Sequence, residues 1–292
     1  MLKRVLTKIY VFNIMLITTE KVVKNLVYVI NKRLIREGDV SMENKLKEMK
    51  EFIILLDKLD VLMKQNILSN NYQTEETKEV LELLKMYTKE GILKNFEDIE
   101  EVAIIVDTVN GFMTGGALAN PNAMHIVPKQ IQLIEKILQR NGLVIFVKES
   151  HDENCTEFNT FPKHCVTGSW EAELVDELKP YEKHGITIEK NSTSFMFARG
   201  FLNLMSLMKN LKLVIGNGVC SDICIPNGFI PLKNYFNQNN RDVEIIIPIN
   251  SIDTFNSPYH SKEEYEHASN ILMKQSGIKL VKTINDIEWR RK

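Results

Sequence analysis

The sequence predicts an α/β fold: an open, doubly wound, mostly parallel sheet in a Rossmann-like three-layer domain, with an N-terminal helical extension. Three observations carry this expectation. From residue 96 onward, short apolar runs recur with few breaks, which suits strands buried on both faces of a parallel sheet. Helical stretches separate the runs, so strands and helices alternate. Residues able to do chemistry sit at the ends of several runs, where open α/β sheets place their ligands.

Bulk composition narrows the class. The chain has 292 residues, enough for one large domain with an extension. Its 44% apolar and 26% charged residues are ordinary for a soluble globular protein. A formal net charge of −1 gives no electrostatic reason to expect nucleic acid or an anionic membrane as partner. The longest early apolar stretch, residues 5–19, is interrupted by Lys8 and Asn13 and is short for a membrane span. The four cysteines, Cys155, Cys165, Cys220 and Cys224, come without an obvious secretory signal. They read as reduced thiols of a cytoplasmic protein.

Residues 1–41 are basic and apolar, and Gly38 is their only glycine. Codons for Glu37-Gly38-Asp39 can spell a purine-rich ribosome-binding site just before the Met42 codon. Residues 1–41 are therefore expected to be a leader that is not translated. From 42 to about 65, Leu46, Met49, Ile53, Leu56, Leu59 and Met63 recur three or four apart, the period of a helix. Ser69-Asn70-Asn71 breaks the pattern. A second helix follows, with Val80, Leu83, Leu84 and Tyr87 inward and Gly91 at its end. Residues 42–95 thus read as a helical hairpin that packs on the main domain or joins two copies as a homo-oligomer, with an active-site lid as the alternative. Residues 96–292 are the main domain. Its expected strands are 102–106, 143–147, 186–188, 211–215 and 243–247, with a weaker one at 278–281. Helices are expected at 128–139 and 201–209, among others.

The strand ends carry the candidate chemistry. Asp107 follows the first run, Glu149 lies just past the second, and Lys190 follows the third. Cys224 comes nine residues after Ile215, in Gly216-Asn-Gly-Val-Cys-Ser-Asp-Ile-Cys224. Ser221 or Asp222 could cap a helix there and put Cys224 in its first turn. The positive end of that helix and a nearby lysine would raise the thiolate fraction. Asp107 could take the thiol proton and later hand it to a leaving amine. Each residue alone also suits a bland role: a helix cap, a solvated lysine, a buried cysteine.

Three motifs in order add to this. Ile104-Ile-Val-Asp-Thr-Val-Asn-Gly-Phe112 resembles the opening motif of isochorismatase-like hydrolases. Glu189-Lys190-Asn-Ser-Thr-Ser194 resembles their lysine motif, and Gly218-Val-Cys-Ser-Asp-Ile-Cys224 their nucleophile motif. The resemblance covers residues 98–285. It implies a triad of Asp107, Lys190 and Cys224. It also implies a non-proline cis peptide between Val219 and Cys220, with the N–H groups of Cys220 and Cys224 aimed at an oxyanion.

A second stretch is similar to that of nicotinamidases within the superfamily. It reads Glu149-Ser-His151, then Glu157-Phe158, then Phe161-Pro-Lys-His164-Cys165. In nicotinamidases the matching stretch binds a metal through Asp-x-His, a third ligand and the His of a Trp-Pro-x-His-Cys motif. The implied ligands are Glu149, His151, Glu157 and His164. Glu149 stands where Asp is usual and Glu157 where His is common; both keep a ligating atom. Imidazole with carboxylate suits zinc, manganese or iron. A rival set, His151, Cys155, His164 and Cys165, lacks any standard structural-zinc spacing. Phe112 and Phe161 match the aromatics that sandwich a substrate ring; both also suit a core. Gly111 replaces an acidic residue, and Pro231 is expected to kink or delay the nucleophile helix. His125, His184, His260 and His267 fit no motif and read as surface or structural.

The expected function is hydrolysis of a small-molecule amide, nicotinamide above others, through a thioester on Cys224. The nearer rival keeps the fold and nucleophile but acts on an N-carbamoyl compound, ureidoacrylate or isochorismate. The further rival is a non-catalytic binding protein that uses the N-terminal helices.

Overall fold

A computed structural model describes residues 42–69 and 92–289. The expected second helix of the hairpin lies outside the described residues. Helix α1 (Met42–Ser69) outruns its expected end. It buries Leu46, Met49 and Ile53 as its period requires, and Phe52 beside them. Phe52 meets Phe96 of α2 (Ile92–Glu97), with ring centroids 6.1 Å apart. These side chains join the same apolar core as the sheet.

The strands are β1 (Glu101–Val106), β2 (Leu143–Glu149), β3 (Ile186–Lys190), β4 (Leu213–Val219), β5 (Glu244–Pro248), β6 (Ile252–Asp253) and β7 (Lys279–Val281). They form one seven-stranded parallel sheet in the order β3-β2-β1-β4-β5-β7, with β6 paired to β4. Successive side chains of a strand point to opposite faces. Val102, Ile104 and Val106 enter the core that α1 joins, while Ala103 and Ile105 enter a second core with Leu133, Ile134 and Ile137. The last three belong to α4 (Val127–Gln139), which follows the short α3 (Asn110–Met113). No described helix is long and apolar enough to cross a membrane.

Strand order reverses between β1 and β4, the place where open sheets leave a crevice at their carboxyl ends. Three strand ends there differ from expectation. Glu149 and Lys190 are the last residues of β2 and β3, not the first beyond them. Strand β4 starts at Leu213 and runs on to Val219, where a loop after Ile215 was expected. Its glycines mark close packing, not a turn. A Cβ on Gly216 would stand 2.4 Å from the Phe229 ring, and one on Gly218 would stand 2.0 Å from the Val106 carbonyl oxygen. Gly218 also has φ +125°, which disfavours any side chain.

The remaining helices are α5 (Lys179–Glu182), α6 (Phe201–Leu207), α7 (Cys224–Gln238) and α8 (Lys262–Gln275). Pro231 lies inside α7, which runs unbroken from Cys224, so the proline neither delays nor ends it. A proline leaves the carbonyl four residues back without its helical donor. That carbonyl, of Asn227, accepts from the Ser194 hydroxyl at 2.7 Å. The loop after β3 is thereby fastened to the helix that begins with Cys224.

Candidate active site

Sheet register builds the charged centre. Glu149 on β2 is the direct neighbour of Lys190 on β3. Asp107 follows β1 in a left-handed conformation, φ 53°, and donates its N–H to the Val147 carbonyl at 2.8 Å. Lys190 Nζ lies 2.9 Å from Asp107 Oδ2 and 3.7 Å from Cys224 Sγ, and donates to the Ser192 carbonyl at 3.0 Å. It also pairs with Glu149 Oε2. All four side chains are buried.

Burial sets the protonation tendencies. It penalises every charged form, and only proximity of opposite charges offsets this. Burial pushes the Asp107 carboxyl up against the pull of Lys190. It pushes Glu149 up to about 8, again against Lys190 and helped by the like charge of Asp107. Burial would discharge Lys190, but Asp107, Cys224 and Glu149 outweigh it and hold the ammonium well above its ordinary range. Burial also holds the Cys224 thiol well above the ordinary range, so a base is needed to free it.

Cys224 is the first residue of α7, as expected, but neither expected cap is used. Ser221 donates to Glu266 Oε1 at 3.0 Å, and Asp222 Oδ2 meets His260 Nε2 at 2.6 Å. The peptide between Val219 and Cys220 is cis. All four cysteines are free thiols.

A second polar group stands beside the first. His151, Glu157 and His164 bring ligand atoms within 4.8 Å of one another. His164 Nδ1 donates to the Pro162 carbonyl at 2.7 Å, since a carbonyl oxygen only accepts. His151 Nδ1 meets Asn191 Oδ1 at 2.9 Å, and that oxygen also accepts the Asp152 N–H at 3.3 Å. With each Nδ1 engaged outward, the two Nε2 atoms face each other at 3.1 Å. Two imidazole nitrogens beside a carboxylate form a donor set that fits zinc, manganese or iron. Burial also lowers the proton affinity of His164, which keeps the ring free to ligate.

The fourth expected ligand, Glu149, reaches both groups. Glu149 groups with Asp107 and Cys224, although its Oε1 comes 3.3 Å from His151 Nε2. Cys155 Sγ faces the Asn191 carbonyl at 3.9 Å and Cys165 Sγ the Glu171 carbonyl at 3.7 Å, so the rival cysteine set does not assemble. Cys165 also fills the space over Gly111, where a Cβ would come within 2.6 Å of its sulfur.

Both groups open on a cavity of about 300 Å3 lined by Cys224, Glu157, His164 and the rings of Phe112, Phe161 and Phe255. Phe112 and Phe161 stand there as the motifs suggested. Phe255, Asn256 and Leu118 also line it and match no motif; Ile223 of the nucleophile motif, which was not singled out, lines it too. Asn191, which orients His151, directly follows the motif lysine, a signal that was readable. Flat walls around a few convergent polar groups suit a small planar ligand.

The Isochorismatase domain family model matches residues 101–283. Nicotinamidase 1 of Arabidopsis thaliana is 25% identical over 187 residues, which cover 56% of this chain and 74% of that protein. A probable inactive nicotinamidase of the same plant is 30% identical over 132 residues, 42% of this chain and 67% of that protein. Among solved structures, pyrazinamidase of Pyrococcus horikoshii in complex with zinc aligns with TM-score 0.51 and 26% identity, covering 62% of this chain and 98% of that one.

Proposed function

From the premise that the chain belongs to the isochorismatase family of hydrolases, we propose that it hydrolyses the carboxamide of nicotinamide, or a close aromatic amide, through a thioester on Cys224. The observation that carries this is the single lysine shared by base and sulfur: Lys190 Nζ is 2.9 Å from Asp107 and 3.7 Å from Cys224 at the cavity floor. His164 and Glu157 on the same cavity, with His151 behind them, support a substrate with a ring nitrogen.

The steps follow from these groups. Asp107 accepts the thiol proton, and Lys190 offsets the charge of the thiolate and the carboxylate. Sulfur attacks the carboxamide carbon, and the N–H groups of Cys220 and Cys224 receive the oxyanion. The C–N bond breaks as Asp107 returns the proton, and ammonia leaves. Water, deprotonated by Asp107, then cleaves the thioester and restores the thiol. His151, Glu157 and His164 would hold a divalent metal, which would supply a Lewis acid for a substrate ring nitrogen and so help to orient the amide toward sulfur. Residues 96–292 would form the catalytic unit, with α1 packed against it as an extension.

Ammonia release from nicotinamide tests the reading, with and without added zinc, manganese or iron, beside Cys224→Ala. Metal-dependent release that vanishes in the variant is expected. Release that survives in Cys224→Ala removes the nucleophile assignment. No release from folded, metal-loaded protein moves the substrate to a carbamoyl or other amide compound.

A further inference from the structure

His260 carries no motif, yet all its functional atoms are engaged. Its ring is stacked between Phe255 and Tyr265, with centroids 4.0 Å from each and interplanar angles of 19° and 29°. Nδ1 donates to the Phe255 carbonyl at 3.1 Å, and Nε2 meets Asp222 Oδ2 at 2.6 Å. Its main chain closes a tight turn, exchanging N–H and carbonyl with Ser257 at 3.0 and 3.1 Å. Asp222 is buried and lies two residues before Cys224 in the nucleophile motif. The turn that His260 closes follows Phe255 and Asn256, which line the cavity. Asn256 is itself held where its side chain accepts the Lys262 N–H at 3.1 Å.

We infer that His260 is a positioning residue for the cavity wall: clamped by Phe255 and Tyr265 and joined to Asp222, it fixes where Phe255 and Asn256 stand and so how closely a flat ring is seated. A half-buried phenylalanine on an irregular segment has no ladder to hold it. Here the imidazole supplies a stacking partner on its face and a donor to its carbonyl together, and Asp222 references both to the nucleophile segment. His260 touches neither Cys224 nor Lys190 among its recorded contacts, so its influence falls on binding and not on bond cleavage. This inference rests on the amide-hydrolase reading for its substrate, but not for its structural claim.

The test compares wild type with His260→Ala and His260→Gln in the full chain. Glutamine keeps a donor toward Asp222 but loses the stacked ring. For His260→Ala, KM for nicotinamide is expected to rise about tenfold or more, with kcat within about threefold, as for loss of a pocket contact. His260→Gln should fall between it and wild type. The rate at which iodoacetamide alkylates Cys224 should stay near that of wild type in both, because that reagent needs no ring seat. An unchanged KM, or kcat and alkylation falling in step with KM, overturns the inference. Hydrogen exchange needs no substrate and separates this failure from failure of the nicotinamide reading. Faster exchange over residues 254–260 in His260→Ala, with 219–226 as in wild type, supports the positioning role. Wild-type exchange there overturns it, whatever the enzyme hydrolyses.

Discussion

Two polar groups share one cavity, and they are built in opposite ways. The lysine centre is assembled from strand ends and the first residue of a helix, so sheet register places its members before any side chain chooses a rotamer. The imidazole centre hangs on the loop between β2 and β3, with His151 at its start and Glu157 and His164 further along. The first holds one ammonium among two carboxyl groups, that of Glu149 pushed up to about 8, and a thiol. The second is a set of ligand atoms, two imidazole nitrogens and a carboxylate oxygen, within 4.8 Å of one another. A rigid frame thus carries the groups that move protons, and a loop carries the groups that receive a ligand. Glu149 stands on the border, one oxygen on Lys190 and the other 3.3 Å from His151.

The steepest way to break the contrast is Lys190→Met. It leaves buried carboxylates without their cation, and such losses cost about 3–5 kcal/mol. Denaturant unfolding should register that loss, and turnover should vanish; a variant as stable as wild type would show that the centre is not a charge balance. His164→Ala comes next. It should lower metal content and affinity by more than the roughly 10–100-fold typical of an outer-shell residue, while Cys224 stays open to alkylation. Retention of one tightly bound metal would remove His164 from the ligand set. Glu149→Gln probes the border. A ligand would behave like His164, whereas a partner of Lys190 should keep the metal within that 10–100-fold range and change the alkylation rate of Cys224. The expected outcome is the second, and metal loss equal to that of His164→Ala would return Glu149 to the ligands. Ser194→Ala should cost about 1 kcal/mol by stranding the Asn227 carbonyl, read as a small shift in the unfolding midpoint. Cys165→Ala should leave kcat/KM within about a factor of two; a large loss would give that thiol a role its contacts do not suggest.

Strand-end residues were the legible part of the site. Apolar runs mark where β1, β2 and β3 lie, and an ionisable residue at the end of such a run is visible without coordinates. What was not legible is where β4 stops, because Gly216 and Gly218 read locally as a turn. Only the Phe229 ring and the Val106 backbone, distant in sequence, make them strand residues. The resemblance to nicotinamidases implies Glu149 as a ligand. Its neighbour across the sheet is Lys190, and register is a property of two strands that neither strand's own sequence states. Phe255 and His260 were invisible for a related reason. Their roles come from stacking in an irregular segment that has no period to detect. The helical pattern of α1 was readable from Leu46, Met49 and Ile53, but the core it would join was not.

One proline has a consequence beyond its own helix. Pro231 subtracts a rung from α7, and the carbonyl so left over is the one Ser194 holds. The place where the lysine-bearing segment can attach is therefore written into the helix as a gap in its ladder. Shifting the proline by one position would rotate that gap by about 100° around the helix axis, away from the hydroxyl that now fills it. The fastening between cation and sulfur is keyed to an angle, and the residue that sets the angle touches neither.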